Sequence, residues 1–284
     1  ELFGLPIVKD VMAITAWGDE EAASDLVDEG TVQSDELQPQ GSTLEGGTVA
    51  KVVKRKYRVG YPMAAAARGQ EGWVRLSFTV QADGTVADPV VEDSSGVQEL
   101  EKAALKAILR LRYTPATWNG KPIEQCAAKF NYIFMLQSGK GAKPDFIKSY
   151  KAVIELKTIG REAEAEAKLE QLTTLRELNL YETSRLLLMR ASFQGANGDF
   201  AGALRSIQNA TMMDGRFLEK DIYRVAVKEM FGLQVALKKY ADALDTHNKI
   251  KKLKPPLSDQ GIDAAAARIH GAIDGPDQLG FPGV

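Results

Sequence analysis

The chain has 284 residues, 44% of them hydrophobic, which suffices for one large domain or two ordinary ones. Lys and Arg number 36 against 38 Asp and Glu, so no basic excess points to a nucleic-acid partner. One cysteine, Cys126, excludes an intrachain disulfide and a cysteine-based metal cluster, and its expected role is that of a small buried hydrophobe.

Residues 1–16 are mostly apolar but are broken by Pro6, Lys9 and Asp10, too short and interrupted to span a bilayer. No other stretch of the given sequence is apolar enough for a spanning helix. The first residue is Glu1 rather than Met, so an upstream segment is expected, either a removed signal or an inner-membrane anchor. Residues 17–50 turn acidic and then rich in Gly, Ser and Thr, the composition of a disordered or loosely held linker. A basic run follows at Lys51, Lys54, Arg55, Lys56 and Arg58 and reads as a solvated face, with an anionic surface as the alternative.

From Tyr61 the pattern sharpens. Pro62 suits the first position of a helix carried on by Ala64 to Ala67, and Gly69 suits its left-handed stop. Val74, Leu76, Phe78 and Val80 alternate with Arg75, Ser77 and Thr79, the mark of a strand with one buried face. Asp83-Gly84 signals a tight primed hairpin turn. The returning strand, about Thr85 to Asp93, contains Pro89, which cannot donate to a ladder and so implies a bulge or an edge.

A second helix is expected from about Ser95, with Ser95 and Gln98 at capping-box spacing. Leu100, Ala103, Ala104, Ala107, Ile108 and Leu111 form its sheet-facing stripe. Pro115 ends it, and Asn119-Gly120 makes a turn. A long closing strand then places Cys126, Ala128, Phe130, Tyr132, Phe134 and Leu136 on one face. The opposite face runs Lys129, Asn131, Ile133, Met135 and becomes apolar, so another layer or a partner should cover it there.

After the linker 138–144 almost everything has helical period. Ala201, Ala203, Leu204 and Ile207 follow Gly198-Asp199-Phe200. The arrangement returns about forty residues on as Ala241, Ala243, Leu244 and His247, and it appears more weakly before, as Gly160 with Ala163, Ala165 and Leu169. Small residues at fixed positions let paired helices approach closely, as in a solenoid of tetratricopeptide-like repeats. The tail 274–284, rich in Gly and Pro, should fray.

Chemistry-bearing motifs are missing from the sequence. His247 and His270 share no local metal motif, and His247 takes the stripe position that Ile207 holds, where a satisfied core or groove histidine is expected. Gly139-Lys140-Gly141 reads as a linker rather than a phosphate cradle, and Glu92/Asp93 as a solvated strand end. No catalytic, cofactor-binding or metal-binding residue is therefore assigned. Tyr61, Trp73 and Trp118 stand beside turns, where aromatics serve either the rim of a core or an interface.

Taken together, YPMAAAARGQEGWVRLSFTV (61–80), QADGTVADPVVEDSSG (81–96), LEKAALKAILRLRYTPATWNGKPI (100–123) and KFNYIFML (129–136) resemble the C-terminal domain of TonB-type energy transducers. Arg58-Val59 stands where members of that family carry Gln-Pro, and the polar segment before it is not the usual Pro-rich spacer. The resemblance implies an α+β fold, a small antiparallel sheet packed by two helices, with the all-α repeat domain after it. The expected partition is 1–50 as N-terminal segment and linker, 51–137 as the α/β domain, 145–273 as the repeats and 274–284 as tail. It also implies a non-catalytic periplasmic protein-binding role in a Gram-negative envelope, in which a short peptide of an outer-membrane transporter is added to the sheet as a strand. The contact is expected along Ala127, Ala128, Lys129, Phe130, Asn131, Tyr132, Ile133, Phe134, Met135 and Leu136, with Tyr61 nearby. The alternative is an envelope scaffold that binds other periplasmic proteins without energy coupling. Strand addition needs the closing strand to present an open edge.

Overall fold

A computed structural model describes residues 31–37, 47–53, 59–136, 141–175, 178–253 and 259–274. The apolar segment 1–16, the acidic stretch 17–30, Lys54 to Arg58, the Gly-Lys at 139–140 and the tail from 275 lie outside the described residues. The elements in chain order are β1 (Thr31–Leu37), β2 (Gly47–Thr48), β3 (Lys51–Val52), α1 (Met63–Ala67), β4 (Gly72–Val80), β5 (Val86–Ser94), α2 (Gln98–Ile108), β6 (Tyr113–Thr114), β7 (Ala116–Trp118), β8 (Lys121–Ile123) and β9 (Gln125–Met135). Among the described residues only helices follow: α3 (Pro144–Thr158), α4 (Glu162–Thr173), α5 (Leu180–Ala196), α6 (Phe200–Ala210), α7 (Met212–Gly215), α8 (Lys220–Ala236), α9 (Tyr240–Lys252) and α10 (Gln260–Asp274). Contacts divide the described residues into a front unit, within 21–142 and 175–180, and a helical unit, within 143–174 and 181–274.

In the front unit the three antiparallel strands β9, β4 and β5 form a sheet, and β1 extends it to the order β1-β9-β4-β5. Strand alternation sends Val74, Leu76, Phe78 and Val80 of β4 and Ala128, Phe130, Tyr132 and Phe134 of β9 to one face. There they pack with Leu100, Ala104, Ala107 and Ile108 of α2 and Ala65 of α1, the helical stripe read from the sequence. β2, β7 and β8 make a separate small sheet, and β3 pairs with β6.

Several local expectations hold and several change. Gly69 stops α1 at φ +64°, and Asn119 and Gly120 both take positive φ in the tight turn joining β7 to β8. Pro89 does sit at an irregularity of an edge strand, beside Asp88 at φ +48°. At the β4–β5 turn only Gly84 has positive φ, and its N–H donates to the Gln81 carbonyl at 2.9 Å, so the loop is a longer one than the two-residue primed turn expected. Glycine is required there for a second reason: a Cβ would lie 2.1 Å from the Tyr113 carbonyl oxygen.

The helix starts one position later than expected, with Pro62 at the N-cap of α1. Ser95 does not cap α2. Its hydroxyl accepts from the Trp73 N–H at 3.2 Å, and Val97 is the N-cap, without a side-chain bond. Cys126 is exposed rather than buried. The cause is a register shift in β9 against Phe78/Val80, with Ala127 at φ +55°, which interrupts the alternation before Ala128.

The largest departure concerns residues 17–50. Within that stretch, expected to be a loose linker, Thr31–Leu37, Gly47–Thr48 and, just after it, Lys51–Val52 are strands. Composition hid them because Ser34, Asp35 and Glu36 are poor strand formers, and a neighbour's unpaired edge supplies what propensity does not.

The helical unit repeats a helix hairpin. Gly160, Gly198 and Lys238 occupy the turns of α3/α4, α5/α6 and α8/α9, each with positive φ. The next N–H in each turn, that of Arg161, Asp199 or Lys239, bonds back to Leu156, Gln194 or Gln234. Four residues beyond it come Ala165, Ala203 and Ala243, each with 0% exposure, small side chains that allow close helix approach. Buried Arg185 of α5 pairs with Glu219, the N-cap of α8, which also accepts from the Tyr181 hydroxyl at 2.5 Å. His247 is buried beside Phe231, with Nε2 2.7 Å from Asp263 Oδ1, as a satisfied histidine should be.

Lys238 stands in the left-handed region where the two earlier turns use glycine. Lys238→Gly is therefore expected to stabilise the helical unit by about 0.5–1 kcal/mol, the relief of left-handed strain less the added freedom of the unfolded chain. A urea-denaturation midpoint measured on both chains checks it.

Candidate functional site

The closing strand β9 is the longest strand described and carries every contact residue expected from the sequence except Tyr61 and Leu136, which flanks its end. On one side it pairs with β4, in a register that sets Gly72 against Phe134, Val74 against Tyr132, Leu76 against Phe130 and Phe78 against Ala128. Its helix-facing side chains are locked in an aromatic run. The Phe130 and Tyr132 centroids are 4.9 Å apart, those of Tyr132 and Phe134 6.4 Å, and Tyr61 meets Phe134 edge-on at 5.7 Å.

Tyr61 packs against Phe134 of the closing strand, as a support. Its hydroxyl donates to the Gln70 carbonyl at 2.5 Å, and burial, followed by the charge of Glu71, pushes its ionisation well above the ordinary tyrosine range. Glu71 in turn accepts from the Leu136 N–H at 2.6 Å, which fixes the end of the closing strand.

The opposite face holds Lys129, Asn131 and Ile133 against Ser77, Arg75 and Trp73 of β4. Asn131 and Ile133 are buried, with Met135 and Leu136 only partly exposed, so this face is covered toward the strand's end, as its composition suggested. Arg75 Nε donates to Asn131 Oδ1 at 3.3 Å, and its guanidinium lies 5.9 Å from the Trp73 ring centroid. Lys129 reaches across the sheet to Glu92 at 2.8 Å, a half-exposed pair of small energetic weight. Ala127 is exposed and Ala128 buried. None of these groups forms a nucleophile–base pair, and no metal-ligating cluster occurs among the described residues.

The main-chain edge of β9 that was expected to be open is not open. β1 pairs antiparallel with it from Thr31↔Met135 through Ser34↔Tyr132 to Leu37↔Lys129. The closing strand lies between two strands of its own chain, with hydrogen-bonding partners on both sides. Sequence reasoning missed this occupant. Its only signal was the short strand-favouring start Thr31-Val32, with no hint of which edge would receive it.

Residues 57–136 match the family described as Gram-negative bacterial TonB protein C-terminal. The chain carries a TonB C-terminal domain followed by a helical region. Among curated proteins, Protein tonB2 of Pseudomonas aeruginosa is 43% identical over 56 residues, 20% of this chain and 21% of that protein. Protein TonB of the same organism is 32% identical over 73 residues, 26% of this chain and 21% of that protein. The chain therefore spans about a fifth of the length of these relatives. A solved structure, the solution NMR structure of the Pseudomonas aeruginosa TonB CTD, is 26% identical, covers 32% of this chain and 90% of that one, and superposes with a TM-score of 0.27.

The TonB C-terminal domain is a non-catalytic module. The matched stretch takes in α1, β4, β5, α2 and β9 but leaves β1 outside. The sheet of the TonB domain thus ends at β9, and a strand from elsewhere in the chain is seated on that end.

Proposed function

We propose that the front unit recognises an extended segment of an outer-membrane transporter, taken as an antiparallel strand along Lys129 to Met135 of β9, in the periplasm of a Gram-negative cell. The observation that carries this reading is the seating of β1. The edge at which the TonB domain ends accepts a polar seven-residue strand from outside that domain. Such an edge recognises backbone first, through its alternating N–H and C=O groups, and side chains second. The buried aromatic run behind β9 holds those groups in place before a partner arrives, which lowers the ordering cost of binding.

A second reading is an envelope scaffold without energy coupling. The helix hairpins with their recurring turn and alanine favour it, because tetratricopeptide-like stacks offer a surface for another protein. A photo-crosslinking amino acid at Lys129, partly exposed on β9, separates the two when the chain is expressed in a Gram-negative periplasm. The first reading predicts adducts with outer-membrane transporters through their N-terminal extensions. Adducts only with soluble periplasmic proteins would replace it with the second.

A further inference from the structure

β9 offers a partner one open side, and the protein has filled it. The occupant, TVQSDEL, is unlike the strands around it. β4 presents Trp73, Val74, Phe78, Thr79 and Val80 and is bonded on both sides, whereas β1 carries Ser34, Asp35 and Glu36, residues depleted from strands. Among the described residues β1 is also at the end of the sheet, with no ladder on its outer side. A strand of low propensity, held by one ladder, opens at a far lower free energy than the strands behind it. A long apolar strand such as β9 left unpaired would in turn be a template for aggregation.

Resting on the reading above, we infer that Thr31–Leu37 is an internal competitor for the outer edge of β9, so that a partner strand binds by displacing it. The register states what the partner must replace: an antiparallel run that covers Lys129 to Met135. Because β1 is tethered to the same chain, it acts at an effective concentration that no dilution removes. Partner affinity is reduced by the fraction of molecules whose edge is open, and any event that lifts β1 raises that affinity without touching β9. The same strand keeps the edge covered in the absence of a partner.

The probe is a fluorescently labelled synthetic peptide of the sequence TVQSDEL carrying a photo-crosslinker, titrated against the full chain and against the full chain with Gln33→Pro and Ser34→Pro. Neighbouring prolines remove donors of both alternating sets and prevent β1 from pairing, and they lie outside the TonB domain. The variant should bind the peptide at least tenfold more tightly than the unaltered chain, with crosslinks on β9. Equal affinity for both chains with crosslinks still on β9 would overturn the competitor while leaving strand addition standing. Binding to neither chain, or crosslinks only elsewhere, would overturn both. A second variant pair, Leu37→Cys with Lys129→Cys in a Cys126→Ser background, uses opposed positions to lock β1 in place. Oxidation should weaken peptide binding at least tenfold relative to the reduced form, and unchanged binding after confirmed crosslinking would again overturn the competitor.

Discussion

Replacing Phe130 and Asn131 together with proline is expected to unfold the front unit while the helical unit stays folded. With an open outer edge the pair of prolines would remove a donor from the β4 ladder alone. β9, however, is bonded to β4 on one side and β1 on the other, and successive residues of a strand direct their N–H groups to opposite sides. The pair of prolines therefore removes a donor from each ladder. It also deletes the buried Phe130 ring and the Asn131 amide that accepts from Arg75. Buried groups left without partners cost about 1–3 kcal/mol each, and loss of a core phenyl adds about 3–5 kcal/mol. That exceeds or matches the whole stability of an ordinary small domain. Far-ultraviolet circular dichroism should keep a cooperative helical transition, while in a Trp17→Phe, Trp118→Phe background the fluorescence of Trp73 reports a water-exposed ring already at low denaturant. A native Trp73 signal in the variant would mean that β9 is peripheral after all.

The second large effect is expected from Phe134→Ala. Phe134 has 0% exposure, contacts the Tyr132 and Tyr61 rings and stands in register with Gly72 of β4 and Val32 of β1. Gly72 opposite it cannot be enlarged to fill the gap, because a Cβ there would lie 2.0 Å from Ser95 Oγ and 3.0 Å from Leu100 Cδ1. The neighbours fill the space left by the phenyl only in part, and a destabilisation of about 3–5 kcal/mol follows. A large drop in the urea midpoint of the front-unit transition, at unchanged slope, is the expected reading. A shift under about 1 kcal/mol would show that the aromatic run does not hold the strand.

Much of this was legible from residues, and the failures have physical causes. The alternation of β4 gave its buried face because nothing interrupts it before Val80. The α2 stripe emerged at Leu100, Ala104, Ala107 and Ile108 because a helix seated on a sheet must bury one face. The repeat in the helical unit showed itself through Ala203 and Ala243, since close helix approach restricts residue size. Period reading failed at Cys126, where the left-handed Ala127 inserts a register shift that no composition announces. It failed more seriously at Thr31–Leu37. Ser34, Asp35 and Glu36 carry a linker's composition, and the segment is a strand because the edge of β9 lacks partners, a long-range cause that a local window cannot contain. The strand that carries the expected contact residues was therefore legible, but the occupant already lying along it was not.

Amide hydrogen exchange along Lys129 to Met135, resolved residue by residue in the full chain, tests the occupied edge most directly. Protection is expected at successive amides, one set bonded to β4 and the other to β1, with the second set alone becoming fast when Gln33 and Ser34 are replaced by proline. Fast exchange at every second amide of β9 in the unaltered chain would contradict it, because that edge would then be empty.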